Sequence, residues 1–195
     1  QTKSGYFHSQ DGEWDSNGEA LWIIRKFCEM TRTPPSKEVL RTIDKGGLWI
    51  SRKRLSKEPF SPHAGLLPAG FSAEHLGPND YYYWDDFWGV AGLEAAGYLE
   101  NIYGNKKRAK HFQVEAKEFS EAIRESLLQA QRRLNTKAMP AAPYRRLDSG
   151  MIGSLAAGYP LKLFDANDPR LIDTTKYLLE HHFINGGFFT RLSIF

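Results

Sequence analysis

Cysteine is almost missing from this chain: Cys28 is the only one in 195 residues. No intrachain disulfide can form, so the fold must rest on its core. No apolar run approaches the roughly 20 residues that a membrane-spanning helix needs. No leader with a basic start and an apolar stretch opens the chain. Charge of one sign is scarce too. Lysine and arginine number 26 against 23 acids, a net +3, which is too little to argue for a nucleic-acid partner. The basic runs Arg52-Lys53-Arg54 and Lys106-Lys107-Arg108 are short. They fall near expected helix ends, where they would solvate the surface or complement a helix dipole. There is no P-loop, dinucleotide fingerprint, GxSxG elbow or zinc spacing. His181 and His182 are helical neighbours that point in different directions, a poor metal pair. The expectation is therefore no cofactor, no metal, no membrane and no nucleic acid.

What is present reads as globular: 41% of residues are hydrophobic and 25% charged, a balance that can fill one core. Apolar residues recur with helical spacing and no strand pattern competes. A first helix is expected over residues 17–32, with Leu21, Ile24 and Cys28 on one face and Ala20, Ile23 and Phe27 beside it. A second should start after Ser36, with Gly46-Gly47 as a weak point. A third should run from a cap at Asn79 or Asp80 to Tyr103, where Gly104-Asn105 stops it. Its small residues, Gly89, Ala91, Gly92, Ala95, Ala96 and Gly97, suit an enclosed inner helix. The fourth, with Ala109, Phe112, Ala116, Phe119, Ile123, Leu127, Ala130 and Leu134 in one stripe, suits an outer helix. A fifth is expected over residues 149–164. A sixth should start at Asp168-Pro169 with Leu171, Thr175, Leu178 and His182 on one face, and end at Asn185-Gly186-Gly187. Alternating inner and outer helices predict an all-α fold: a partial (α/α) toroid of stacked antiparallel helical hairpins. The long loops, residues 59–79 and 136–148, precede inner helices and should build one elaborate rim.

Three segments could carry chemistry. In Tyr81-Tyr82-Tyr83-Trp84-Asp85-Asp86-Phe87-Trp88, six of eight positions are aromatic. Aromatic rings stack on sugar faces, and carboxylates accept from sugar hydroxyls. Glycosidic cleavage needs a carboxylic acid to protonate the departing oxygen. A helix N-terminus lowers such a pKa, while aromatic burial and a neighbouring carboxylate raise it. Adjacent helical residues diverge by about 100°, so Asp85 and Asp86 should differ in role. An isolated aspartate here would read as a helix-end charge; the aromatic density argues for a site. The segment around Trp14 and Asp15 again sets a tryptophan between acids at a helix start. Its likeness to the first suggests a shared pocket. In Tyr144-Arg145-Arg146-Leu147-Asp148, arginine could fork onto sugar hydroxyls, or pair with an acid beside a helix cap. His63 and His75 lie in the long loop, where they could line a pocket.

Gly65-Leu66-Leu67-Pro68, Ser72-Ala73-Glu74-His75-Leu76-Gly77-Pro78 and Tyr82-Tyr83-Trp84-Asp85-Asp86-Phe87-Trp88-Gly89 resemble bacterial glucoamylase-like glycoside hydrolases. Residues 11–22 and 144–155 fit the same group. The resemblance implies a toroid of six helical hairpins and an inverting reaction on α-glucosides or related oligosaccharides. It implies Asp85 as general acid, with Asp86 touching substrate or tuning Asp85. Trp14, Asp15, Tyr83, Trp84, Trp88, His75, Arg145 and Asp148 would bind substrate. The family usually has glutamates at the acidic pair, and aspartates there resemble the related trehalase and glucosidase families. Its general base is a glutamate on a later hairpin, which this chain does not match.

We therefore expect residues 1–195 to be a single domain that is about half of a catalytic toroid, from a longer, cytoplasmic polypeptide, and inactive alone. A carbohydrate is the expected partner, and uncovered inner helices would favour a homo-oligomer. Two alternatives stand beside this. One is a non-catalytic helical scaffold for a sugar or protein. The other is an epimerase or lyase of acidic sugars, which would use His63, His75, Tyr82 and Arg145.

Overall fold

The computed structural model describes residues 1–57, 61–71 and 78–190. Among these the chain is mostly helical: α1 Ser16–Thr31, α2 Lys37–Lys53, α3 Tyr83–Tyr103, α4 Lys106–Leu134, a 3₁₀ helix Ser149–Ala157 and α5 Pro169–His182. A two-stranded hairpin follows, β1 Phe183–Ile184 against β2 Gly187–Phe188.

Several ends form where the local chemistry asks for them. Ser36 Oγ accepts from the Val39 amide at 3.2 Å and starts α2. Asn105 Oδ1 accepts from Lys107 and Arg108 and starts α4. Asp168 Oδ1 accepts from Arg170 at 2.9 Å, with Pro169 in the first turn of α5. In each case a side-chain oxygen satisfies an amide that the helix cannot.

α3 is the inner helix. It packs against α1, α2 and α4 and is buried along most of its length. Its small residues permit that enclosure. A Cβ on Gly92 would lie 2.6 Å from Gly18 Cα, and one on Gly18 would overlap the Trp88 carbonyl. Gly89 lies under the Phe119 ring of α4. α4 buries one apolar stripe, Ala109, Phe112, Ala116, Phe119, Ile123, Leu127 and Ala130, together with Ser126, and turns its charged face outward. α1 is apolar on two sides: Leu21 and Cys28 face the core, while Ile23, Phe27 and Met30 are exposed.

Other expectations are corrected. α2 runs unbroken through Gly46-Gly47, because the rings of Phe7 and Phe112 press on those glycines. α3 starts at Tyr83 rather than beside a cap at Asn79 or Asp80. Asp80 instead exchanges both backbone hydrogen bonds with Gly70, and the Tyr83 amide donates to Ala141 O at 3.0 Å. The fifth helix is a 3₁₀ segment ending at Ala157, where Gly150, Gly153 and Gly158 lower helix propensity and Pro160 follows. Asn185-Gly186 does not end α5, which stops at His182. It turns the hairpin, with both residues at positive φ as a two-residue loop requires. On α5 the buried threonine is Thr174, not Thr175; its hydroxyl accepts from the Met139 amide at 2.9 Å.

The basic runs also differ from expectation. Arg54 is buried: it donates to Gly65 O at 3.0 Å, pairs with Glu115 at 3.3 Å and lies 4.5 Å over the Phe119 ring. Lys106, Lys107 and Arg108 begin a helix, where the dipole opposes positive charge. Arg108 is offset by Asp44.

The α1–α3 contact is backbone on backbone, so neither side can yield. Gly18→Ala should lower stability by about 1–3 kcal/mol, the usual cost of overpacking. Urea unfolding measures it, and an unchanged midpoint would refute the close contact.

Candidate functional site

The two tryptophan–acid segments meet. Asp15 stands at the N-terminus of α1 but caps nothing with its side chain. Its carboxylate instead accepts from the Trp84 indole N–H at 2.7 Å, joining α1 to the first turn of α3. Trp84 and Trp88 are one turn apart and meet edge to face at 5.7 Å. Trp88 meets Trp22 of α1 in the same way at 5.6 Å. Beside these rings lies a cleft of about 530 Å³, with Phe7, His8, Ser16, Glu19, Trp22 and Trp88 in its wall. The Trp88 indole N–H is buried without an acceptor. A buried donor in that state is an uncompensated cost to the fold.

Phe7, in the cleft wall, is held by Asn17, which is fully buried. Its side chain accepts from the Phe7 amide at 2.7 Å and donates to Gly5 O and Gly46 O, each at 3.0 Å. Asn17 thereby pins the N-terminal segment to α2. In sequence it looked like an ordinary helix-start residue. Glu19 and Trp22 were not singled out either. Their signal was present: residues four and seven positions after Asp15 share its helix face.

The two aspartates are both buried, Asp85 at 2% exposure and Asp86 at 1%. Neither is in the cleft wall. Asp86 turns into the core, where one oxygen accepts from the Leu67 amide at 2.9 Å. Its other oxygen has no hydrogen-bond partner. Burial pushes the Asp86 carboxyl up to about 8; the Leu67 bond and the Arg54 charge oppose that rise without cancelling it.

The remaining expected residues are dispersed. Trp14 packs near Tyr6 and Trp49, its N–H reaches Ala69 O at 3.4 Å, and the Lys53 ammonium sits 3.8 Å over its ring. Tyr83 is fully buried between α3 and α4, its hydroxyl 2.8 Å from that of Ser126. It presents no surface to a ligand, and burial holds its hydroxyl protonated. Arg145 forks onto one oxygen of Asp148 at 2.6 and 3.0 Å and reaches the Tyr82 hydroxyl at 3.3 Å. Burial alone would lower the Arg145 pKa, but the Asp148 charge raises it. The other Asp148 oxygen caps the 3₁₀ helix through the Gly150 amide. These two residues thus make an ion pair and a helix cap. His75 lies outside the described residues. His63 stacks on Tyr81 at 4.4 Å and is 2.7 Å from the Tyr144 hydroxyl, forming a separate aromatic patch on the loop rim.

Among the described residues no group of three His, Cys, Asp or Glu side chains could hold a metal ion. None of their helices is long and apolar enough to cross a membrane. The chain matches no known protein-family model, no curated protein and no solved structure.

Asp86 makes a prediction about pH. Folded, it keeps its proton up to about pH 8; unfolded, it releases it near its ordinary value of about 4. Between those limits the native state binds more protons, so stability should fall as pH rises from about 4 to 8. Asp86→Asn should flatten the profile across that window. Urea titrations at several pH values test this, and parallel curves for the two proteins would refute it.

Proposed function

We propose that this chain is part of a glycoside hydrolase acting on α-glucosides or related oligosaccharides. Its helices belong to an (α/α) toroid of hairpins, and Asp85 is the inverting proton donor. The general base, a second carboxylate about 6.5–9.5 Å from the acid in such enzymes, comes from outside residues 1–195. The observation that carries this reading is the Trp84–Asp15 hydrogen bond, which unites both tryptophan–acid segments beside the cleft. The chemistry fits: the Trp22 and Trp88 rings in the cleft wall can cover apolar sugar faces, and Glu19 brings a carboxylate to the same wall.

A second reading is a helical scaffold that binds sugar without cleaving it. It is favoured by the position of Asp85 and Asp86, both buried and neither in the cleft wall.

Maltotetraose should quench the tryptophan fluorescence of the chain, and Trp22→Ala, in the cleft wall, should weaken binding by about tenfold or more, about 1.4 kcal/mol. No response to the sugar, or an unchanged affinity in the variant, would remove the cleft from the proposal. In a polypeptide that also carries the base, Asp85→Asn should cost about 10²–10⁴ in hydrolysis rate. Sugar binding with no effect of Asp85→Asn on function would select the scaffold.

A further inference from the structure

Asp86 sits in the first turn of α3, yet it neither caps that helix nor meets solvent. A buried carboxyl with a single hydrogen bond is costly, so what that bond holds matters. It holds the amide of Leu67. The segment that begins there is clasped repeatedly. Arg54 donates to Gly65 O at 3.0 Å, and the Leu55 amide donates to Leu66 O at 2.7 Å. Gly70 exchanges two backbone hydrogen bonds with Asp80. The Phe71 amide donates to Gly12 O at 2.9 Å. Gly70 lies so close to Gly12 O and to the Trp14 indole that a Cβ there would overlap both. The Trp14 N–H points at Ala69 O, and the next residue, Asp15, accepts from Trp84.

These contacts close a ring. It leaves α3 at Asp86, passes through Leu67, Ala69, Trp14 and Asp15, and returns to α3 at Trp84. Start and finish lie on the same helical turn. A ring of that kind leaves little freedom to any member, because α3 itself is fixed by the core.

We propose that Asp86 is a positioning residue: by holding the Leu67 amide it sets residues 67–71, and these set Trp14 and Asp15 over the first turn of α3. It acts through the backbone and touches no ligand. The charged and titratable groups around it are Arg54 at the end of α2, Glu115 and Glu118 of α4 behind that arginine, and Tyr83 on α3. The consequence for sugar affinity rests on the reading proposed above; the positional claim does not.

The test is solution NMR on the 195-residue chain. In the wild type, the Asp86 carboxyl, the Leu67 amide and the Trp14 indole should titrate with one shared midpoint. Asp86→Leu, which removes the acceptor, should shift the Trp14 and Trp84 indole signals and weaken maltotetraose binding by about tenfold. Asp86→Asn keeps an acceptor oxygen and should rescue the indole signals. A Leu67 signal that moves while Trp14 stays still overturns the proposal, whether pH or the leucine variant causes the movement. If Asp86→Leu does not fold, the wild-type titration decides alone. If maltotetraose does not bind the wild type, the sugar reading falls and the indole signals still decide the positioning.

Discussion

The close approach of α1 to α3 is the constraint on which the rest depends. Gly18 of α1 lies against the Trp88 carbonyl and against Gly92, with no room for a Cβ on either glycine. Two helices that touch at backbone distance have one register. That register sets Asp15 and Trp22, on α1, against Trp84 and Trp88, on α3. The Trp84–Asp15 bond and the edge-to-face rings depend on it. Larger residues at positions 18 and 92 would separate the helices and with them the two halves of the site.

The second constraint is the treatment of buried charge. Arg54 is buried, but its guanidinium has Gly65 O, Glu115 and the Phe119 ring around it. Asp86 has less: one amide, and a nearby positive charge that donates elsewhere. A charged Asp86 is therefore the costly state and a protonated one the favoured state. Both residues hold the segment that follows α2, Arg54 at Gly65 and Asp86 at Leu67. The loop is thus fixed to the core by polar groups at its base and reaches the rim at Gly70 and Phe71.

Features that depend on local chemistry were legible in the sequence. The α4 stripe recurs at regular helical steps, and Ser36 and Asp168 cap helices through bonds within three residues. The small residues of α3 signalled an enclosed helix because only close neighbours need them. The likeness of the two tryptophan–acid segments suggested a shared pocket; what joins them in the structure is the Trp84–Asp15 hydrogen bond, and neither of those residues is in the cleft wall. What was not legible depends on distant partners. Nothing in Arg52-Lys53-Arg54 says which cation is buried, since Glu115 and Phe119 decide it from another helix. The α3 start moved to Tyr83 because Gly70 and Ala141 take the backbone groups around it. Asn17 resembles any helix-start residue until Gly5 and Gly46 are brought to it. The aspartate pair was legible as a pair, but its burial was not, because the elements that cover both side chains come from elsewhere in the chain.

That burial bears on how a proton donor should be recognised here. A general acid must hold its proton near working pH, and burial is one way to raise a pKa. Asp86 has the raised value, about 8, and by that criterion alone it would be the acid. Its geometry argues otherwise. It is 1% exposed, is absent from the cleft wall and has its bonded oxygen on Leu67. A proton that cannot reach a substrate oxygen cannot serve the reaction. In Asp86 the perturbed carboxyl therefore marks a constraint of the fold rather than a reacting group. Asp85, 2% exposed and likewise absent from the cleft wall, meets the same obstacle, so burial geometry gives the proton-donor role to neither aspartate and weighs toward the scaffold rather than the hydrolase.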